Sequence, residues 1–90
     1  MEFEWNTKKA AQNFAKHGVP FSEGATVFGD PLALTFHDPD HSDDEYRCLT
    51  FGFSVEDRLL VISHTDRDNL TRIISVRSAT RKERRIYEEG

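Results

Sequence analysis

One short segment restricts the fold of this sequence more than any other. Residues 59–62, Leu-Leu-Val-Ile, are apolar at every position. A strand with one solvated face alternates polar and apolar residues, whereas an unbroken apolar run is typical of a strand covered on both faces. The segment from residue 58 to residue 65 is therefore expected to be a central strand, with other parts of the chain packed on each side of its sheet.

Extended and helical patterns follow one another along the chain in the order β-α-α-β-β-β-β-α. The extended segments, most of them rich in β-branched and aromatic residues, are residues 2–5, 32–36, 46–53, 58–65 and 70–77. Short connections between the later strands favour antiparallel pairing. The pattern predicts an α+β domain in which two N-terminal helices pack on a twisted, mainly antiparallel sheet of four to five strands, closed by a C-terminal helix.

Capping residues indicate where each helix begins. Asn6 is a suitable N-cap, and we expect Phe14 to lie on the buried side of the helix that follows. Ser22 is the expected N-cap of a second, shorter helix. Thr80 and Glu83 have the spacing of a capping box, which predicts that the C-terminal helix starts there.

Length and composition predict one cytoplasmic domain over residues 1–90. A hydrophobic content of 37% is enough for a single core, and 90 residues are too few for two. The lone cysteine, Cys48, rules out an internal disulfide and indicates a reducing compartment. The sequence contains neither a signal peptide pattern nor an apolar run of membrane-spanning length.

The charges are distributed unevenly. A net charge of −4 argues against a nucleic-acid partner, but residues 37–45 alone hold five acids. The cations are concentrated in the C-terminal strand and helix, which carry Arg72, Arg77, Arg81, Lys82, Arg84 and Arg85. Guanidinium groups match phosphate oxygens and stay charged, so this unit could hold phosphate. Solubilising surface charge is the alternative interpretation.

An ordered set of residues across essentially the whole chain carries a family resemblance: Phe3-Glu-Trp5, Lys9, Asn13, Lys16-His-Gly-Val19, Phe21, Val27-Phe-Gly-Asp-Pro31, Arg47, Arg58-Leu-Leu-Val61, Arg72-Ile-Ile-Ser-Val-Arg77, Ala79-Thr80, Glu83-Arg84 and Tyr87. Together these residues resemble the BrnT family. The chain departs from the family pattern at Asn6, Asp57 and Val76, where aspartate, a turn glycine and alanine are usual.

The resemblance implies a toxin of a type II toxin–antitoxin pair with a fold similar to the RelE ribonucleases. It implies cleavage of RNA that needs no metal ion or other cofactor and that arrests growth. It also implies a BrnA-like antitoxin, a DNA-binding protein that neutralises the toxin. Operator DNA would then be contacted only through that antitoxin, whose complex with the toxin represses their shared operon.

Metal-independent cleavage requires stabilisation of a doubly charged phosphorane, for which Arg77 is the first candidate. Strict alternation places Arg77 beside Thr71, Ile73 and Ser75 on the more polar strand face, and Arg72 on the opposite face. Both arginines could serve one site only if a bulge or twist intervenes. A salt bridge to the acidic loop is the alternative role for Arg77.

Proton transfer could come from His64, because imidazole titrates near neutrality. Its parity with Leu60 and Ile62 equally fits a hydrogen-bonded core histidine. Arg47 could join the site or anchor the acidic loop. The RNA backbone could be steered by Lys16 and His17, whose charges also suit the end of the first helix, and by Arg81, Lys82, Arg84 and Arg85.

Two further observations bear on function. His37 and His41 lie among carboxylates, but a loop with no cysteine and no helical spacing is a weak metal signal, so no metal site is expected. Cys48 is expected to be buried and inert. A rival to the ribonuclease hypothesis is a non-catalytic module whose basic helix docks an acidic protein partner.

Overall fold

The computed structural model describes residues 1–41 and 45–90 and contains one mixed sheet with three helices. The strands are β1 (Glu2–Glu4), β2 (Leu34–His37), β3 (Arg47–Phe53), β4 (Leu59–Arg67) and β5 (Leu70–Ser78). The helices are α1 (Thr7–His17), α2 (Phe21–Thr26), which continues into a 3₁₀ turn at Val27–Gly29, and α3 (Arg81–Glu89); a further 3₁₀ turn is at Pro39–His41. The predicted α+β class and the order of these elements are confirmed.

The apolar run lies in the centre of the sheet, as predicted. The strand order is β1-β5-β4-β3-β2, with β1 parallel to β5 and the other neighbours antiparallel. Leu60 and Ile62 join the core beneath α1 and α2, formed with Val19, Phe21, Val27, Ile73 and Val76. Leu59 and Val61 point to the other face and are also buried, at 4% and 1% exposed.

Helix α1 attaches to β5 through a buried amide. Asn13 Nδ2 donates to the Val76 carbonyl at 2.8 Å, and Asn13 Oδ1 accepts from the Val76 N–H at 3.2 Å. Strand β1 pairs only with residues 70–72 of β5, so Asn13 supplies the hydrogen bonds that a neighbouring strand would supply further along. The expectation that Phe14 is buried is wrong. It is 53% exposed, because Asn13 occupies the side of the helix that faces the sheet.

Helix α2 begins two residues earlier than predicted. Phe21 is its first residue and is buried, and Pro20 occupies the N-cap position without a side-chain hydrogen bond. Ser22 as the N-cap is therefore wrong. A Cβ added at Gly24 would lie 2.5 Å from Val76 Cγ2, so glycine permits the close approach of this helix to β5.

A β-bulge between β4 and β5 changes which side chains share a face. Ser63 pairs with Ser75 but His64 pairs with Ile73, so one additional residue of β5 lies between these pairs. Arg72 and Arg77 consequently point to the same face of the sheet, the one opposite α1 and α2. The expectation from strict alternation, that they lie on opposite faces, is wrong.

Helix α3 lies on that same face, at the end where β3 and β5 carry Phe53 and Arg77. Tyr87 packs edge-on against Phe53 with ring centroids 5.4 Å apart, and its hydroxyl donates to Asp30 Oδ2 at 2.6 Å. The Arg84 guanidinium lies 5.9 Å from the centre of the Phe53 ring. The predicted capping box is confirmed, with Thr80 and Glu83 bonded reciprocally.

The turn between β3 and β4 is strained at Asp57, which has φ of 63°. Substitution of Asp57 by glycine is expected to stabilise the fold by up to about 1.5 kcal/mol. Relief of the left-handed conformation, about 1–2 kcal/mol, is partly offset by the greater freedom of glycine in the unfolded chain, about 0.5–1 kcal/mol. Urea denaturation at pH 7 measures the change. A loss of stability after this substitution would contradict the strain assigned to the turn.

Candidate functional site

The candidate site begins with two arginines on the sheet face opposite α1 and α2, here called the open face. Arg47 on β3 pairs with Thr65 on β4, which pairs with Arg72 on β5. Directly paired residues of an antiparallel sheet point to the same side, so these three side chains form one row across the sheet, here called the arginine row. The Arg72 side chain is 50% exposed. The structure therefore brings together two residues that the sequence separates by 25 positions (72 − 47 = 25).

A cavity of about 370 Å³ lies at this end of the sheet. It is lined by Glu4, Glu45, Tyr46, Thr65, Asp66, Arg67, Leu70 and Arg72. Glu4 Oε2 lies 4.0 Å from Arg72 Nη1, and Glu45 Oε1 accepts from Arg47 Nε at 3.2 Å. The pair of Arg72 and Glu4 is exposed, and such surface ion pairs contribute little stability, so a phosphate could replace Glu4 at small cost. The same carboxylates could accept a proton.

Arg77 has a different environment at the other end of β5. Its guanidinium binds Glu83 through two parallel hydrogen bonds, Nη1 to Oε1 at 2.7 Å and Nη2 to Oε2 at 2.8 Å. The hydrogen bond from Arg77, opposed by burial, lowers the pKa of Glu83 to about 2, and the same pair raises the pKa of Arg77. Its partner is thus the first turn of α3, and the pair fastens that helix to the sheet.

Replacing Glu83 with glutamine is expected to lower the free energy of unfolding at pH 7 by about 1.5–3 kcal/mol, the range for hydrogen bonds to charged groups. The pKa of Glu83 falls from 4.5 to about 2 on folding. Its stabilisation is therefore complete above about pH 5 and is lost as the pH falls towards 2. Urea denaturation of both proteins at pH 7, 4 and 2.5 should show their difference shrinking. Glu88→Gln, at an exposed position of the same helix, should have little effect at any pH.

His64 lies on the helix side of the sheet and is completely buried. Its Nε2 shares a hydrogen bond with Thr50 Oγ1 at 2.7 Å, and its Nδ1 with Asp66 Oδ1 at 2.9 Å. The Phe28 ring packs edge-on against the imidazole at 4.9 Å. Both ring nitrogens are occupied, and the sheet separates the imidazole from Arg47 and Arg72. The structure does not bring His64 together with the arginines.

The predicted RNA-binding cations are divided between two helices. Lys16 and His17 form the end of α1, on the opposite side of the sheet from the arginine row. The others lie on α3, beside the open face, and all are exposed: Arg81, Lys82, Arg84 and Arg85. Only the α3 cations therefore share a side of the molecule with the arginine row.

The acidic segment is described only in part, because residues 42–44 lie outside the described ranges. His37 stacks on Tyr46 with ring centroids 4.1 Å apart and an interplanar angle of 11°. Within residues 1–41 and 45–90, no group of three or more histidine, cysteine or acidic side chains is placed to hold a metal ion. Cys48 is buried, and burial, aided by the charge of Asp66, raises the pKa of its thiol.

Glu4 is a candidate site residue that the sequence pattern did not predict. It alternates with Phe3 and Trp5 and is indistinguishable there from any solvated strand residue. Its position beside Arg72 depends on the parallel pairing of β1 with β5, a contact between the two ends of the chain. Glu4 could have been identified only from the register between β1 and β5.

The fold is a small α+β domain that is shared with a solved structure. The structure matches the 1.1 Å crystal structure of the Brucella abortus ribonuclease toxin BrnT with a TM-score of 0.68, covering 90% of this chain and 99% of that one at 21% sequence identity. Residues 5–83 match the family described as the ribonuclease toxin, BrnT, of a type II toxin–antitoxin system. This chain belongs to the BrnT family.

A comparison with curated proteins gave no significant match. The family assignment makes the protein a BrnT-type ribonuclease toxin of a type II toxin–antitoxin system, which implies an antitoxin partner. In the part of the chain that the structure describes, no helix has the length and apolar character needed to cross a membrane.

Proposed function

We propose that this toxin cleaves RNA without a metal ion and that the reaction takes place at the arginine row. The observation that carries the proposal is the pairing of Arg47, Thr65 and Arg72 in one row beside the cavity. Two guanidinium groups on the two strands that flank β4 can bind one phosphodiester from different directions. Fixed positive charge at the reacting phosphate stabilises the charge that develops in the transition state.

In the proposed reaction the ribose 2′-oxygen attacks the phosphorus and the 5′-oxygen leaves. Glu4, beside Arg72, accepts the 2′-hydroxyl proton, and the leaving 5′-oxygen takes a proton from water. Arg72 and Arg47 hold the phosphorane oxygens. The products are a 2′,3′-cyclic phosphate and a free 5′-hydroxyl, and no step requires a metal ion or another cofactor.

The remaining candidate residues have supporting roles in this proposal. Arg77 maintains α3 through Glu83, because both of its terminal nitrogens are already engaged there. His64 fastens β4 to β3 through Thr50. Lys16 and His17, with the four α3 cations, attract the RNA backbone over longer distances.

The proposed partner is a BrnA-like antitoxin, a DNA-binding protein through which the toxin reaches operator DNA. The type II class supports an antitoxin partner, and the family resemblance supports its BrnA-like nature. We further propose a cytoplasmic location, where both RNA and the antitoxin are available, and a structural relationship to the RelE ribonucleases.

The salt dependence of RNA binding tests the proposed interface. For single-stranded RNA, the logarithm of affinity falls with the logarithm of salt concentration by about 0.7 for each neutralised phosphate. We expect a steep slope for the wild type and a slope reduced by about 0.7 after Arg72→Ala. If this substitution left the slope unchanged, Arg72 would not be a phosphate contact of the RNA interface.

A second candidate function is a non-catalytic module that binds an acidic protein through α3. The exposure of all four α3 cations, away from the cavity carboxylates Glu4 and Glu45, favours it. Such a module would bind its protein partner with a weak salt dependence if the interface is partly apolar, and purified protein would leave RNA intact. Cleavage of RNA by the wild type would dispose of this alternative.

A further inference from the structure

We infer that Phe36 is a stacking platform for an unpaired base of the RNA, an inference that rests on the proposed function. Phe36 lies on β2, the edge strand of the sheet, and pairs with Leu49 on β3. That register places its ring on the open face, the same face as the arginine row. The side chain is 43% exposed, which is high for a phenylalanine within a strand.

The ring is held in place by a neighbouring ring on the same face of the sheet. Phe51, which is 5% exposed, packs against it with ring centroids 5.4 Å apart and an interplanar angle of 55°. A ring already fixed by a buried neighbour loses little conformational freedom when a base stacks on it. Base stacking on an aromatic side chain tolerates any sequence, since every base has a π-face.

The surroundings of Phe36 are suited to a nucleotide. Arg47 is its diagonal neighbour on β3, a relationship that places Cβ atoms about 7–8 Å apart. Leu49, Ser63 and Ser75 continue the row of Phe36 across the open face, so two hydroxyl groups adjoin the arginine row. A base on Phe36 and its phosphate on Arg47 would lead the chain towards Arg72.

This geometry selects single-stranded RNA. A base within a duplex is covered by its neighbours on both faces, so it cannot stack on a protein ring without leaving the helix. The substrate class assigned to the site is therefore unpaired RNA, with no base-specific contact at this position.

The test is binding of a fluorescently labelled, unstructured 2′-O-methyl RNA oligonucleotide, which cannot undergo attack by its 2′-oxygen. We expect Phe36→Tyr to bind within about twofold of the wild type, and Phe36→Leu and Phe36→Thr to bind about tenfold more weakly, the loss of one stacked base. Leucine keeps an apolar contact with Phe51, and threonine suits a strand, so melting temperatures should confirm that both variants fold. Phe14→Leu, an exposed aromatic position on α1 across the sheet, is the matched control and should bind as the wild type.

Four results would overturn the inference. Equal affinity of Phe36→Leu and Phe36→Tyr would show that the aromatic face is unused. Equal affinity of the wild type for a duplex of the same sequence would exclude recognition of an unpaired base. Wild-type binding that depends on Arg72 but not on Phe36 would refute this inference alone. An absence of RNA binding by the folded wild type would refute the proposed function together with it.

Discussion

Replacing Arg72 with alanine is expected to lower kcat for RNA cleavage by about 10²–10³-fold, the usual effect of removing one preorganised donor from a developing oxyanion. The side chain is half-exposed beside the cavity, and the carboxylate that pairs with it, Glu4, is 4.0 Å away. Its guanidinium can therefore turn to a phosphate with little loss. Single-turnover cleavage of a defined single-stranded RNA, with melting temperatures as a folding check, measures the effect.

The comparison with other arginines makes this prediction specific. Arg85→Ala removes the same group from α3 and should raise KM for RNA with a much smaller effect on kcat, since its role is attraction of the backbone. Arg77→Ala should chiefly lower stability, because it breaks the pair with Glu83. A larger loss of kcat in folded Arg77→Ala than in Arg72→Ala would place the reaction at the other end of β5.

Replacing Asn13 with leucine is expected to lower the free energy of unfolding by about 2–5 kcal/mol. The amide is 8% exposed and bonds both the N–H and the carbonyl of the completely buried Val76. Leucine has a similar size but satisfies neither group, and each buried unpaired backbone group costs about 1–3 kcal/mol. Such a loss is a large part of the stability of a small domain.

Urea denaturation of Asn13→Leu beside Gln12→Leu isolates this effect. Gln12 is exposed on the same helix, so the second variant changes helix composition without touching the sheet. We expect it to remain within about 0.5 kcal/mol of the wild type. A loss below about 1 kcal/mol in Asn13→Leu would mean that water or a shifted helix satisfies Val76.

Local patterns were sufficient where the physical cause is local. The apolar run at residues 59–62 identified the central strand, because burial on both faces leaves no position for a polar residue. The capping box of Thr80 and Glu83 marked the start of α3, because both of its hydrogen bonds lie within one turn. Neither feature depends on how distant parts of the chain pair.

Features that depend on strand pairing could not be predicted from local sequence patterns. The bulge that places Arg72 and Arg77 on one face exists only in the register between β4 and β5, and alternation within β5 cannot reveal it. In the sequence, Asn13 looks like any solvent-exposed helix residue. Its role follows from the short length of β1, which leaves Val76 without a partner strand. The apolar character of Phe14 likewise predicts a buried position, whereas Asn13 occupies the side of α1 that faces the sheet.

The partner of Arg77 was also beyond the sequence pattern. Both Arg77 and Glu83 were identified, the first as a phosphate ligand and the second as part of the capping box. Their ion pair requires α3 to fold back over the end of β5, which follows from the packing of Tyr87 on Phe53 and its bond to Asp30. Glu83 both completes the capping box and binds Arg77, and only the three-dimensional structure shows the second role.

The most direct test of the central claim is the chemical nature of the ends produced when purified wild-type protein cleaves single-stranded RNA in EDTA. The proposed attack by the 2′-oxygen at the arginine row predicts fragments ending in 2′,3′-cyclic phosphate without any added metal ion, and much slower formation of them by Arg72→Ala. Cleavage that requires Mg²⁺, or fragments ending in a 3′-hydroxyl, would contradict the account.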